Sequence, residues 1–416
     1  MSQRVFPPHG VVWKTLEQEL FGLRTHDPAW ENSFCFWGWP NPGSNIHVIA
    51  KDAQAMFYNQ FWMGRRSQPS GEKLVRDLQQ MTRDILCAPD EAHVSLTSGG
   101  TESNFSAVLS AREFARKARP DISNPNIVVP YSAHPSFDKA GFYLGIDVVR
   151  VPITKEFRAN VEALSDAIDE RTIMLVGSAP AYPHGLCDPI GDIGELALGR
   201  NIWFHVDACV GGFLLPFLQR LKPETPQFDF RLPGVRSISA DLHKFGYVPT
   251  GLSTLTLRNA SDYEHTVFKF SDWPHGEYKT DSFAGSRTTS IVAAAWTVLK
   301  TLGEDGYLRL ARQLLHTSDK LRSAIAKIGD LRMTAEPEAG IFVFSSARID
   351  VRALARTMTA RGFPSFCVND PPAVHLLLQP AEDERHVDLY INALAESYSD
   401  VENARGNSAG VDLAYA

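Results

Sequence analysis

A lysine follows a histidine in the run ISADLHKFGY, residues 238–247. An alternating apolar segment leads into the pair, so burial threatens the charge of Lys244. A desolvated amine is a nucleophile and bonds to aldehydes. A second candidate is HVDACVGG, 205–212. His205 and Asp207 are two residues apart and share one face of a strand. Asp207 closes an apolar run, and a buried carboxylate needs a cationic or hydrogen-bonding partner. A protonated ring nitrogen of a cofactor would serve; so would a metal ion or nearby turn amides.

Three more segments end strand-like runs in polar residues. In TSGGTESN (97–104), two glycines let the backbone approach a ligand, and a helix start offers free N–H groups to an anion such as a phosphate. A plain capped helix start reads the same way. No GK[ST] follows, so it is not a Walker loop. In AHPSFDKAG (133–141), His134 could stack on a flat ring or be an ordinary loop histidine. In VGSAPAYPHGLCDPIGDI (176–193), Ser178, Tyr182 and His184 could face the same crevice, although turn formation explains much of the segment.

The elements that would position these residues are short. NIVVP (126–130), DVVRVP (147–152), TIMLVGSAP (172–180), NIWFHVD, VRSISAD and GLSTLTLRN read as strands. VEALSDAIDERT (161–172) and IGDIGELALGR have helical spacing. Apolar strands alternating with helices predict a mainly parallel α/β sheet. After about residue 290 a long helix, broken near GEDG, leads into a smaller α+β domain. The resulting division is an aromatic-rich segment 1–65, a large domain 66–295, a small C-terminal domain 296–402 and a flexible tail 403–416. Five of the eight tryptophans (Trp13, Trp30, Trp37, Trp39, Trp62) fall in the first segment. They predict packing, or an aromatic wall for an apolar substrate.

Composition limits the function. A net charge of −7 gives no sign of nucleic acid or an anionic membrane as the main partner. Five scattered cysteines without a CxxC pair read as reduced thiols. No run approaches a membrane span and the first residues lack a signal-peptide pattern, so a cytoplasmic protein is expected.

As an ordered set the segments become specific. A glycine–threonine turn, a histidine, HxDA and SxxxHK each end a strand and so can face one crevice. They are the parts that pyridoxal phosphate needs: a phosphate site, a ring-stacking residue, a carboxylate for the ring nitrogen, and a lysine for the aldehyde. The chain resembles the group II pyridoxal-phosphate decarboxylase family of fold type I, and within it the sphingosine-1-phosphate lyase branch. The resemblance rests on TSGGTESN, AHPSFDKA, GSAPAYPHGLCDPI, HVDACVGGFLLPF, SISADLHKFGY and FAGSR (283–287), and covers about residues 70–310. It implies Lys244 bonded to the cofactor aldehyde, Asp207 on the ring nitrogen and His134 on the ring. It implies Gly100 and Thr101 at the phosphate, with Ser178, Ser239 and His243 among the cofactor contacts. Gly285 and Ser286 would come from a second subunit, making a homodimer with shared sites.

There are departures. Where the family often has an NPLHPD-like stretch, this chain reads YNQFWMGRRSQPSGEK (58–73), in which only Asn59 matches. After AGSR comes TTS. Tyr58, Asn59, Arg65, Arg66, Tyr182 and Arg287 are the candidate substrate contacts. The expected activity is a carbon–carbon lyase acting on a β-hydroxy amine or amino acid to give an aldehyde. The alternative is an L-amino-acid decarboxylase, with Arg65, Arg66 or Arg287 clamping a carboxylate. A hydrolytic metal site on His134, His205, Asp207 and His243 would leave Lys244 unexplained; no metal is expected. A catalytically dead binding protein on this fold would not need both Lys244 and Asp207.

Overall fold

The computed structural model describes residues 9–25, 27, 35–36, 42–62, 68–381 and 383–404. Arg65, Arg66, Trp30, Trp37, Trp39 and residues 405–416 of the expected tail lie outside them. The chain divides into two compact units, Met1–Ser33 and Phe34–Ala416. In the first, the helix Trp13–Arg24 has no buried residue.

Short runs rich in β-branched residues form the centre of the second unit. Seven strands make one sheet: β1 (His93–Thr97), β2 (Asn126–Pro130), β3 (Asp147–Val151), β4 (Thr172–Ser178), β5 (Trp203–Asp207), β6 (Ser237–Asp241) and β7 (Ser253–Leu257). Their order is β1-β7-β6-β5-β4-β2-β3. Neighbours are parallel except around β7, which runs against both β6 and β1. This is the mainly parallel α/β sheet that the alternation of strands and helices predicts.

Both faces of the sheet are covered. Val128, Leu175, Phe204, Val206 and Ile238 enter one core, while Ile127, Val129, Met174, Val176 and Trp203 enter the other. That alternation is the period of two of a strand. Helix α1 (Gly100–Ala118) lies on the second face through Ala107, Ala111 and Ala115, small residues at helical spacing that allow close approach. Asn104 continues the same stripe one turn earlier, toward the helix start. Trp203, His205 and Asp207 on β5, and Ser237, Ser239 and Asp241 on β6, alternate onto this face as well.

Some local expectations change. The helix expected over 161–172 spans only Val161–Asp166. The chain then turns because Asp169 N–H donates to Thr172 Oγ1 at 3.0 Å and Thr172 N–H donates to the Asp169 carbonyl at 3.1 Å. The long helix is Thr289–Ile325, and it breaks at Gly303, whose φ of 55° and ψ of −174° are not helical.

After it comes the smaller α+β part. Arg332–Met333, Ile341–Ser345, Phe366–Asn369 and Pro372–Leu378 form an antiparallel sheet, joined at one edge by Cys35–Phe36. Helices Val351–Ala360 and Glu384–Asn403 pack with it. A polar seam ties this part to the main sheet. Arg158 Nη2 meets Glu338 Oε1 at 2.6 Å, and Glu338 Oε2 accepts from Cys187 N at 2.7 Å. His375 Nε2 donates to the Tyr182 carbonyl at 2.9 Å.

No described helix is long and apolar enough to cross a membrane. Cys87, Cys187, Cys209 and Cys367 are free thiols.

Burial pulls the pKa of His205 and of His375 down to about 4 from the ordinary 6.5. Between those values the unfolded chain binds protons that the folded chain refuses. Stability from each is therefore full above pH 6.5 and is lost as pH falls through 6.5 toward 4. At pH 4.5 each histidine should cost about 2 to 3 kcal/mol relative to pH 7. Urea unfolding at the two pH values measures this. His375→Gln, which retains a donor but does not titrate, should remove about that much of the pH dependence.

Candidate active site

A cavity of about 410 Å³ opens where β4, β5 and β6 end and α1 begins. The parallel register sets its floor. Ser178 is opposite Asp207, and Asp207 is opposite Ser239. Ser178, Asp207, Lys244, His243, His134, Gly100, Thr101 and Tyr182 line it, as do Glu102, Asn104, Cys209 and Asp241. Val210, Thr250 and Leu377 add an apolar wall, with Leu377 coming from the smaller sheet.

The helix start is built to admit a ligand. No side chain caps Gly99. Glu102 turns back and accepts from Ser98 N at 2.7 Å and from Ser98 Oγ at 2.6 Å. A Cβ on Gly100 would meet Cys209 Sγ at 2.6 Å and Asp241 Oδ1 at 2.9 Å. Glycine there brings α1 down onto the ends of β5 and β6.

Lys244 sits in the turn after β6. Leu242, Phe245, Tyr247 and Val248 are buried around it and anchor the turn. Tyr307 Oη donates to the Gly246 carbonyl at 2.9 Å. Its Nζ lies 2.8 Å from Asp241 Oδ2. Burial opposes the lysine's charge, but Asp241, with Cys209 and Asp207, holds its pKa above the ordinary lysine range. Burial likewise opposes the Asp241 charge, yet Lys244 and His243 hold that carboxyl below its usual range. The buried lysine therefore exists as half of an ion pair.

Asp207 is 7% exposed and held from two sides. Oδ1 accepts from Cys209 N at 3.1 Å and Oδ2 from Asn104 Nδ2 at 3.0 Å. Behind it runs a chain of hydrogen bonds with one polarity. Trp203 Nε1 donates to Ser237 Oγ, and that hydroxyl donates to His205 Nδ1, each at 2.8 Å. His205 Nε2 then donates to Asn104 Oδ1 at 3.1 Å, with Ser239 Oγ at the same distance. The Asn104 amide therefore turns its NH₂ to Asp207 and to Ser136 Oγ, the latter at 2.9 Å. Ser136 N–H donates to His134 Nδ1 at 3.1 Å, and the Ser136 hydroxyl is 2.9 Å from the same nitrogen. His134 thus carries its proton on Nε2 when neutral. Burial lowers its pKa further, against Asp207.

Other sequence candidates lie elsewhere. Ser239 is buried behind the cavity on His205. His184 is buried beneath it, stacked on Phe157 at 4.6 Å, with Nε2 3.3 Å from the Asp370 carbonyl. Gly285 and Ser286 are exposed and outside this chain's own cavity. So are Tyr58, 77% exposed, and Asn59. Arg287 stacks on Trp62 at 3.7 Å and donates to the Leu96 carbonyl at 3.1 Å, away from the cavity. None of the described N-terminal aromatics lines it either. Among the described residues no three His, Cys, Asp or Glu side chains gather as metal ligands. The residues missed in the sequence are Asn104, Ser136, Asp241 and Leu377. Asp241 left a signal, a carboxylate ending an apolar strand three residues before Lys244.

These features fit pyridoxal phosphate. The open helix start and glycine cradle suit its phosphate. Asp207 has spent two of roughly four lone-pair sites, which leaves acceptors for a ring N–H. Lys244 borders the space between.

A sequence profile for the pyridoxal-dependent decarboxylase conserved domain matches residues 28–347. The chain is 38% identical over 313 residues to a sphingosine-1-phosphate lyase of Arabidopsis thaliana, covering 75% of this chain and 57% of the relative. It is 33% identical over 315 residues to a probable L-tyrosine/L-aspartate decarboxylase of Methanothermobacter thermautotrophicus, covering 76% of this chain and 84% of that one. A solved sphingosine-1-phosphate lyase of Burkholderia pseudomallei superposes with a TM-score of 0.91 at 34% identity, over 97% of this chain and 94% of the other. The chain thus spans little more than half the length of the plant relative.

Gly100→Ala tests the cradle. The added methyl should push Cys209 Sγ and the Asp241 carboxylate aside, at about 1–3 kcal/mol of folding stability, and should weaken pyridoxal phosphate binding. Fluorescence titration of the apo protein measures it.

Proposed function

The chain belongs to the pyridoxal-dependent decarboxylase family, whose fold type I enzymes use pyridoxal phosphate, and from that premise we propose that it is a carbon–carbon lyase. Its substrate would be a β-hydroxy amine or β-hydroxy amino acid, cleaved between Cα and Cβ to release an aldehyde. The observation that carries this reading is the likeness to a solved sphingosine-1-phosphate lyase over 97% of the chain. The apolar wall of Val210 and Leu377 supports a substrate with an apolar tail.

The bound cofactor supplies an electron sink for the bond broken at Cα. The residues do the rest. Gly100 and Thr101 hold the phosphate at the start of α1. Asp207, kept oriented by Asn104 and Cys209 N, pairs with the ring nitrogen and favours its protonated form. His134, on the cavity wall, would cover one face of the ring. Lys244 would hold the cofactor through its aldehyde and, once freed by a substrate amine, would hold a proton near Cα. Ser178 and Tyr182 border the substrate space.

We further propose a homodimer, with Gly285 and Ser286 reaching the partner's phosphate site. Their exposure and their absence from the lining of their own cavity support this.

One observation favours a second reading. The archaeal probable L-tyrosine/L-aspartate decarboxylase is 33% identical and 84% covered. A decarboxylase would retain its substrate carboxylate until the bond breaks, and Arg287 is engaged with Trp62 and Leu96 instead.

The purified holoenzyme should be offered a phosphorylated sphingoid base, β-hydroxy amino acids, L-tyrosine and L-aspartate, with aldehyde and carbon dioxide assayed separately. Aldehyde without carbon dioxide is expected. Carbon dioxide without aldehyde would move the protein to the decarboxylases.

Lys244→Ala should abolish borohydride-trapped cofactor. Label recovered on another lysine would overturn that assignment.

A further inference from the structure

Three buried carboxylates line the cavity, Asp207, Asp241 and Glu102; the proposed function uses only the first, and Glu102 is spent on Ser98 and on Phe283 N. Asp241 is 2% exposed at the end of β6. Its Oδ1 accepts from Ser253 Oγ at 2.5 Å. Ser253 stands opposite it in the antiparallel register, at the end of a hydroxyl chain through Ser103 (3.0 Å) and Thr97 (2.6 Å). Its Oδ2 is left for a cation, and Lys244 Nζ is there at 2.8 Å.

His243 is the only other cationic-capable group near Asp241 on this turn. Its Nδ1 donates to the Leu252 carbonyl at 2.8 Å. When neutral, the ring therefore turns an unprotonated Nε2 toward Asp241, at 3.6 Å, too long for a hydrogen bond. From other elements, Asp207 and Cys209 face the lysine from the end of β5, His134 from the loop after β2, and Glu102 from the start of α1. Asp207 already accepts from Asn104 and Cys209 N. Among the described residues, Asp241 is the carboxylate in contact with the ammonium.

We propose that Asp241 is the counter-ion of Lys244, keeping the lysine as an ammonium whenever it is not bonded to the cofactor. The inference rests on reading Lys244 as the cofactor lysine and is independent of which substrate bond breaks. Before the nitrogen can bond to the aldehyde carbon it must lose a proton. That proton passes along the 2.8 Å contact: an N–H bond breaks and an O–H bond forms on Asp241 Oδ2. When a substrate amine displaces the lysine, the proton returns. Lys244 then stands beside the reacting carbon as an acid, and Asp241 stores its proton in between.

The pH dependence of covalent capture tests this. Apo wild type and Asp241→Asn are mixed with pyridoxal phosphate across a pH series, reduced with borohydride and mapped by mass spectrometry. Without the carboxylate the ammonium loses its support, so more free amine is present near neutral pH. The rising limb of capture should move at least about one pH unit lower, with about tenfold faster capture at pH 7. An unchanged limb with label on Lys244 overturns the role of Asp241. Label on another lysine overturns the Lys244 reading itself. Should the variant not fold, apo wild type with ¹³C-labelled lysine, assigned by Lys244→Arg, gives the same answer by NMR. Lys244 should stay charged past the ordinary lysine pKa of about 10.4. Titration below that value contradicts the proposal.

Discussion

A charge buried at the edge of a sheet must find an opposite charge or a full set of hydrogen bonds, and much of this molecule answers that constraint. Asp207 and Asp241 end two adjacent parallel strands, where a pleated period of two brings both to the face covered by α1. Asp207 is satisfied by an amide from that helix and by the turn that follows β5. Asp241 is satisfied by β7 and by Lys244. The antiparallel placement of β7 matters here, because it sets Ser253 directly across from Asp241.

The same requirement accounts for the polar residues behind the cavity. Trp203, Ser237, His205 and Asn104 are almost wholly enclosed, and each finds its partner in the next. Because indole donates only and the carboxylate accepts only, the direction of every bond between them is set. A second proton on His205 would turn the Ser237 bond around, with Nδ1 donating. Burial prevents it. The network is thus rigid in proton position as well as in atom position.

The strands and their order of use were legible in the sequence because each is a short apolar run closed by turn chemistry. So was the convergence of Gly100, His134, Asp207 and Lys244, since strand ends on one edge of a parallel sheet share a crevice. What was not legible depends on contacts between distant segments. Asn104 read as one more polar residue in a helix until α1 was laid across β5. Leu377 is the middle of three consecutive leucines, and only the fold sets it on the cavity wall. Arg287 and His184 carried the right chemistry in suggestive motifs, but Trp62 and Phe157 engage them elsewhere. Spacing along a chain cannot report such competition. The antiparallel β7 and the short edge strand Cys35–Phe36 were equally invisible, because pairing partners far apart in sequence decide them.

The seam between the two sheets has a mechanical meaning. Tyr182 stands on the cavity wall, and its carbonyl is grasped by His375 from the strand that also presents Leu377. Leu377 and the Tyr182 backbone are therefore both mounted on the smaller sheet, one directly and one by tether. A bulky group that pushes the two backbones apart works against that tether. To part them it must strain the His375 contact or shift the smaller sheet against Arg158 and Glu338. The aperture of the cavity is thus a property of how two layers sit together, and residues far from the lysine can tune the girth of what the cavity admits.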